Sequence, residues 1–219
     1  MTTNESFPKF DLPVDFIADD SITGDILNYY GNFPCKIKAG VFVLCTEGMV
    51  RATINLLEIV IRKNDFIVVL PNSFIQIHEV SSDTRISFAG FSSDFMLSGN
   101  YVEILLDFMP MILNSPVISL QEDVAGLYRN VYLLLIRAYT LPHSLENKEI
   151  IRSVLAIFLQ GTKELYKRYG KKLDEPLRRE QELYRQFIQL LMVHYTKEHE
   201  VAVYAEKCGV TAAHFSSAI

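Results

Sequence analysis

Grouped histidine and carboxylate side chains, which would hold a catalytic metal ion, are missing from this sequence. The first histidine of the chain is His78, and a spacing of two places it on the same strand face as Gln76. One histidine without partners supplies too few ligands for a catalytic metal, so we expect elemental analysis to find no tightly held zinc, iron or manganese. Gln76 and His78 could be polar groups inside a ligand-binding barrel or part of a surface strand face, and the sequence leaves both readings open.

No other arrangement of residues predicts catalysis. The sequence contains neither a serine nucleophile elbow nor a glycine-rich phosphate loop. Glu58 and Glu79 lie near predicted turns, where a solvated carboxylate is the ordinary interpretation. Cys35, Cys45 and Cys208 are too far apart for a metal cluster and are expected to be reduced thiols. The sequence therefore predicts a protein that is not an enzyme and that needs no cofactor.

The last twenty residues carry a different kind of chemistry. A short apolar helix starting near Val201 runs into Gly209, which can adopt the left-handed turn that stops a helix. Thr211 then has the form of an N-cap for a second helix. Helix, glycine turn and capped second helix are the pattern of a helix-turn-helix, whose second helix enters the DNA major groove. A helix hairpin unconnected with DNA is the alternative.

The second helix of this motif has a predicted inner and outer face. Phe215 and Ile219 are four residues apart and are expected to face inward. Ala213, Ser216 and Ser217 then face outward. Serine can hydrogen-bond several base edges and alanine can contact a thymine methyl group, so base recognition by these small side chains would be modest.

Charge and composition narrow the class of protein. Residues 1–143 hold nine Lys and Arg against sixteen Asp and Glu, whereas residues 176–219 hold five of each. The acidic N-terminal part is not expected to touch nucleic acid, and the C-terminal part lacks the basic face of a complete DNA-binding domain. The sequence shows no membrane-spanning run and no signal peptide, which predicts a cytoplasmic protein without membrane contact.

The first 95 residues are predicted to be β structure. Short runs rich in Val, Ile and Phe alternate with turn residues at 46–48, 63–65 and 71–73. The predicted strands cover 40–45, 50–55, 58–62, 66–70, 74–80 and 85–91. Strands of this length and spacing favour a small antiparallel barrel or sandwich.

The remainder is predicted to be helical, which makes the fold class α+β. Apolar residues recur at helical spacing over 124–138 and again over 145–169. The second of these helices is apolar on more than one face. We therefore expect it to pair with its own copy in a homodimer, with dimerisation assigned to the stripe formed by Ile151, Leu155, Phe158 and Leu165. A second apolar edge, formed by Ile150, Val154 and Ile157, needs a further partner, which could be the second subunit or a face of the barrel. Residues 170–176 form a polar break and a domain boundary.

The layout resembles the transcription regulators of the AraC/XylS family, in the form common in Bacteroidetes. The segment 187–191, a short spacer and then 203–211 are similar to the first helix-turn-helix of that family, and 213–219 is similar to its first recognition helix. The resemblance implies a cupin-like β barrel at 1–115, a helical linker and dimerisation segment at 116–175, and a partial DNA-binding domain at 176–219.

The resemblance also implies partners and site residues. Ala213, Ser216 and Ser217 match groove-facing positions of the family, and His214 matches a position near phosphate. Family members carry a second helix-turn-helix that this sequence lacks, so we expect a chain truncated within the first one, and duplex DNA binding only by the full-length protein. A small-molecule effector is expected in the barrel. The alternative is a metal-free cupin-like sugar-binding protein or enzyme with a helical tail.

Overall fold

The fold is described from a computed structural model, which places residues 9–29, 34–97, 101–140, 148–169 and 201–218, with single positions between 183 and 200. The predicted break at 170–176 and Ile219 lie outside the described residues, as does the side chain of Ile150. The domain boundary at residue 175 therefore stays a prediction.

Strands occupy most of the first 91 residues, with one more near residue 118. Their bounds are β1 (Lys9–Phe10), β2 (Phe16–Thr23), β3 (Cys35–Ile37), β4 (Gly40–Glu47), β5 (Met49–Ile54), β6 (Leu57–Arg62), β7 (Asp65–Val69), β8 (Ser73–Val80), β9 (Arg85–Phe91) and β10 (Val117–Ser119). Sheet I has the strand order β1-β3-β8-β5-β6, and sheet II has the order β10-β7-β4-β9-β2. The neighbours pair antiparallel, apart from the short parallel pair β1–β3.

The six predicted strands are confirmed as β4 to β9, and the α+β class is confirmed with them. The predicted closed barrel needs a correction, because the described strands form two separate hydrogen-bonded sheets. The predicted turns are also confirmed: Asn64 and Asn72 adopt positive φ of 68° in the second and third of them, a conformation that asparagine tolerates better than most residues.

Two residues in the turn between β5 and β6 have an unusual backbone conformation. Asn55 and Leu56 both have positive φ, at 47° and 70°, as in the two-residue hairpin turns that normally prefer Asn-Gly. The Asn55 side chain holds the turn, since its Oδ1 accepts the N–H of Phe74 at 2.9 Å and its Nδ2 donates to Ser73 Oγ at 3.1 Å. Leu56 is 79% exposed and strained at the tip.

Helices follow and partly interleave the strands. Their bounds are α1 (Gly24–Tyr29), α2 (Ser93–Leu97), α3 (Tyr101–Asn114), α4 (Glu122–Thr140), α5 (Lys148–Tyr169), α6 (Val201–Lys207) and α7 (Ala212–Ala218). The predicted helices at 124–138 and 145–169 are confirmed as α4 and α5. The sequence did not predict α3, or that β10 after it would extend sheet II beyond residue 115.

Sheet II is the middle of three layers. All five residues of β7 are buried, which explains its continuous apolar run, because a strand covered on both faces needs no polar side. One face of sheet II packs on sheet I around a core that includes Val50, Ala52 and Ile67. The other face packs on the helices, where the rings of Phe42 and Phe158 lie 4.9 Å apart at 88°.

Candidate nucleic-acid interface

The turn between α6 and α7 is defined by two backbone hydrogen bonds. The N–H of Val210 donates to the carbonyl of Ala205 at 3.0 Å, and the N–H of Gly209 donates to Glu206 at 2.9 Å. This pair of bonds is the Schellman motif, which needs a left-handed residue after the helix. Gly209 supplies it with a φ of 69°, as the sequence predicted.

The start of α7 is capped by Thr211. Its Oγ1 accepts the N–H of His214 at 3.2 Å, and its carbonyl accepts the N–H of Phe215 at 2.9 Å. A side-chain oxygen that satisfies one of the unpaired N–H groups of a first helical turn stabilises the helix. The predicted N-cap is confirmed, and it fixes where α7 begins.

A separate small core holds the two helices at their angle. Tyr204, Ala205 and Phe215 are buried in it, together with Leu183 from the preceding segment. The ring of Phe187 contacts both other rings edge to face, with centroids 5.6 Å from Tyr204 and 5.1 Å from Phe215. Burial, followed by the nearby charge of Glu198, raises the pKa of Tyr204, and its protonated hydroxyl donates to the Glu198 carbonyl at 2.8 Å.

The outer face of α7 carries the residues that the sequence singled out. Ala213, His214, Ser216 and Ser217 are all exposed, on the side away from Phe215. The Ser217 hydroxyl donates back to the carbonyl of His214 at 2.9 Å, which leaves its oxygen as an acceptor toward solvent. These four residues include no Asp, Glu, Lys or Arg, so the face offers hydrogen bonds and methyl groups more than electrostatic attraction to phosphates.

Gln76 and His78 lie on the outer face of sheet I. Their neighbours Ile75 and Ile77 pack on the core between the sheets, and alternation along β8 therefore turns Gln76 and His78 the other way. His78 Nε2 is 2.7 Å from the hydroxyl of Thr53 on β5. Of the two readings that the sequence left open, this geometry favours the surface strand face, and a role in ligand binding stays a prediction.

Several apolar residues that face the space between the two sheets are not fully buried. Val41, Val43 and Phe88 point toward sheet I from the two strands β4 and β9 near the middle of sheet II, yet they are only half-buried. Ile75 and Ile77 face them from β8 and are half-buried too. Fully closed sheets would bury these positions, so the sheets leave apolar surface accessible between them. Alternation in the sequence shows which residues face inward, but not how closely the opposite sheet approaches.

Most of the α5 stripe that was assigned to the dimer packs inside the chain, and dimerisation itself stays a prediction. Leu155, Phe158 and Leu165 are buried in the core between sheet II and the helices, and Ile151 is half-buried against the same core. A second subunit cannot reach the three buried side chains without unfolding the first. Among the described side chains of α5, Ile157 is a large apolar residue that is exposed, at 69%.

No three His, Cys, Asp or Glu side chains of the described residues gather where they could hold a metal ion. None of the helices in that part of the chain is long and apolar enough to cross a membrane.

Comparison with known proteins gives structural neighbours at low identity. No family model and no curated protein matches the chain. ToxT from Vibrio cholerae matches at 11% identity with a TM-score of 0.38, covering 94% of this chain and 93% of that one. The AraC-like transcriptional activator CuxR matches at 9% identity with a TM-score of 0.43, covering 81% and 59%. The EutQ protein of Clostridium difficile matches at 14% identity with a TM-score of 0.25, covering 36% and 55%.

Proposed function

We propose that this chain is part of a DNA-binding transcription regulator of the AraC/XylS type, acting in the cytoplasm. The observation that carries the proposal is the α6–α7 unit, in which a Schellman turn and a threonine cap set two short helices on a common core. That unit leaves one face of α7 exposed, with side chains that suit base edges. In helix-turn-helix proteins the second helix presents such a face to the major groove.

The hydrogen bonding of Ser217 suggests which base groups this face would contact. Because its hydroxyl proton is donated to the His214 carbonyl, the oxygen is left to accept. The major groove offers donors at the amino groups of adenine and cytosine. Ser217 would therefore favour one of these two bases, and Ala213 would suit a thymine methyl group.

Charge limits the affinity of this face. Residues 201–218 contain one glutamate and one lysine, Glu206 and Lys207, so few phosphates would be neutralised by them. Phosphate contacts supply most non-specific affinity and make it salt-dependent. We therefore expect the 219-residue chain to bind duplex DNA weakly, and tight binding to require basic groups from elsewhere in the assembled regulator.

The test is selection of duplexes from a random pool at low salt, with the product of the complete gene and with the 219-residue chain. Ser217→Ala should relax the preference at one base by roughly 1 kcal/mol. Ser153→Ala, on the exposed face of α5, is the matched control and should leave the selected sequence unchanged. Failure of the complete product to enrich any duplex would refute the proposal. Tight, salt-resistant binding by the 219-residue chain alone would instead contradict the expectation that its low charge limits its affinity for DNA.

We further propose that a small apolar effector binds between the sheets. The side chains of Val43, Phe88 and Ile77 support this, because they are apolar, pack on the core between the sheets and are only half-buried. The fluorescent probe N-phenyl-1-naphthylamine should brighten on binding there. Val43→Phe should reduce that signal, and Val60→Phe on the outer face, where Val60 is 38% exposed, should not.

Equal probe binding by both variants would count against the inter-sheet site. If the probe binds between the sheets and the complete gene product binds no DNA, the alternative of a cupin-like small-molecule binding protein is favoured instead.

A further inference from the structure

Strand β6 is an edge of sheet I that no other described strand covers. It pairs with β5 on one side only, in unbroken register from Leu57 to Arg62. The other edges of the two sheets are poorer templates, because β1 and β10 are two and three residues long and β2 has an irregular register between Asp19 and Ile22. Short or irregular edges resist further pairing. Among the described strands, β6 is therefore the edge that suits an added strand.

The hairpin geometry shows which backbone groups of β6 face away from β5. The two-residue loop at 55–56 is closed by a hydrogen-bonded pair directly beside it, and such pairs alternate along the two strands. The N–H and C=O groups of Glu58 and Val60 therefore point outward, where no described strand pairs with them. The same alternation turns the N–H of Arg62 outward, and it donates to Asp65 Oδ2 at 2.7 Å.

The side chains of β6 would also suit a neighbouring strand. Glu58, Val60 and Arg62 are exposed on the outer face, and neither charged group forms an ion pair with another described residue. On the inner face, Ile59 packs on the core between the sheets but is only half-buried. An added strand would cover Ile59 with an inward apolar side chain and place its outward side chains beside the three exposed ones.

The order of charges along β6 identifies the partner strand. An antiparallel strand, taken from its N-terminus, needs an acidic residue opposite Arg62, a β-branched residue opposite Val60 and a basic residue opposite Glu58. The two residues between these positions point inward and must be apolar. Opposite charges directly across a strand pair stabilise it, and like charges destabilise it.

A second copy of β6 has the same order of charges but is the poorer occupant. Antiparallel pairing about Val60 would leave the carbonyl of Glu58 needing the N–H of the partner's Arg62, which already donates to an aspartate in its own chain. That aspartate, Asp65, is 5% exposed, and its other oxygen accepts the hydroxyl of Ser119 at 2.6 Å, so it is held in place. A peptide without such a tie can offer a donor to Glu58.

We propose that β6 binds an extended segment of a partner protein by strand addition. The segment runs antiparallel to β6, with side chains in the order acidic, apolar, β-branched, apolar, basic. Its backbone bonds to Glu58 and Val60 give affinity, and its two charges fix the register against Arg62 and Glu58. The interface is one strand wide, so binding is weak and transient. The proposal goes beyond DNA recognition and does not depend on it, because its test contains no DNA.

The probe is the fluorescein-labelled peptide Thr-Asp-Val-Thr-Val-Lys-Thr, and its control is the same peptide with Asp and Lys exchanged. Fluorescence anisotropy with the 219-residue chain should rise to saturation with the first peptide. The control should bind about tenfold more weakly, because two attractive charge pairs become repulsive. Equal Kd values for the two peptides, or no saturable binding of the first one up to about 1 mM, would overturn the proposal.

Variants of β6 locate the binding to its edge. Val60→Pro removes an outward N–H and keeps the bonds to β5, because an edge strand tolerates proline where the N–H faces solvent. It should weaken the first peptide about tenfold or more, whereas Val60→Thr keeps the N–H and should bind within about threefold of the parent. Far-UV circular dichroism checks that both variants are folded. A Val60→Pro protein that binds as well as the parent would overturn the proposal.

Exchange of the two charges on β6 tests the register. The double variant Glu58→Lys with Arg62→Glu should reverse the preference and bind the control peptide about tenfold more tightly than the first. A double variant that keeps the parent's preference would overturn the antiparallel register. If neither peptide binds and sedimentation velocity shows a parent dimer that Val60→Pro abolishes, the occupant is a second copy, and the proposal of a partner peptide is overturned.

Discussion

Tyr132→Phe should make the protein more stable. Tyr132, on the inner face of α4, is fully buried, and its ring packs edge to face on Phe158 with the ring centroids 5.6 Å apart. Its hydroxyl has no hydrogen-bond partner among the described residues. A buried hydroxyl without a partner costs about 1–3 kcal/mol. Removing the oxygen leaves a void of about 10 Å³, which costs only about 0.2 kcal/mol at about 24 cal/mol per Å³. The expected gain in the free energy of unfolding is about 1–2 kcal/mol.

Tyr166→Phe is the matched control, because its hydroxyl is equally buried but paired. It donates to the carbonyl of Pro116 at 3.2 Å, and the same carbonyl also accepts the N–H of Val68 at 3.1 Å. The control should lose about 1 kcal/mol, the net worth of one hydrogen bond. Urea unfolding followed by far-UV circular dichroism gives both values, and the chain has no tryptophan to report by fluorescence. A Tyr132→Phe protein less stable than the parent would refute the reasoning.

The Tyr132→Phe variant also tests the pH dependence of stability. Burial raises the pKa of Tyr132 well above its usual range, so the folded state keeps its proton where the unfolded state loses it. The stabilisation from this difference is complete below about pH 10, the usual tyrosine pKa, and decreases as the pH rises further. Tyr132→Phe should therefore lose less stability than the parent in alkaline solution. Identical alkaline profiles for the two proteins would contradict this assignment.

Three further outcomes are expected. Leu56→Gly should raise the free energy of unfolding by about 1 kcal/mol, because glycine adopts the positive φ of this exposed turn without strain. Urea unfolding measures this, and a lower free energy of unfolding than that of the parent would contradict the strain. Thr211→Ala should destabilise the α6–α7 unit by about 1 kcal/mol, seen as faster amide exchange in α7; unchanged exchange would mean that the cap is not needed. Burial first, and then the charge of Asp65, raises the pKa of Cys45 to about 11. Iodoacetamide at pH 8 should therefore label Cys208 before Cys45, as peptide masses will show, and equal labelling would contradict the burial.

The sequence was sufficient where local chemistry decides the structure. A glycine after a helix usually ends it in a left-handed turn, and a threonine before a helix usually caps its first turn, so Gly209 and Thr211 could be assigned from the sequence. The i, i+4 spacing of Phe215 and Ile219 separated Phe215 from the exposed face of α7. The strands β4 to β9 were predictable because they alternate or run continuously apolar between turn residues. By contrast, β2 contains the polar run Asp19-Asp20-Ser21, and a strand with such a run cannot be recognised from its hydrophobic pattern.

The sequence was insufficient where two surfaces must be matched. The apolar residues of α5 were recognised, but periodicity does not tell whether Leu155 meets its own sheet or a second subunit. The sequence placed Val43 and Phe88 in predicted strands. It did not show that they would be half-buried, because the distance to the opposite sheet is a tertiary property that alternation does not contain.

The layered order of the two sheets sets an order of opening for the backbone. Amides of β7 are bonded to β4 and β10 and covered by side chains on both faces, so they exchange with solvent only when sheet II separates from its neighbours. Strand β6 is an edge of sheet I with Glu58, Val60 and Arg62 exposed, and its amides reach water through local fraying. Hydrogen exchange in this protein should thus proceed from the outer sheet inward, and the slowest amides should mark the middle layer rather than the helices.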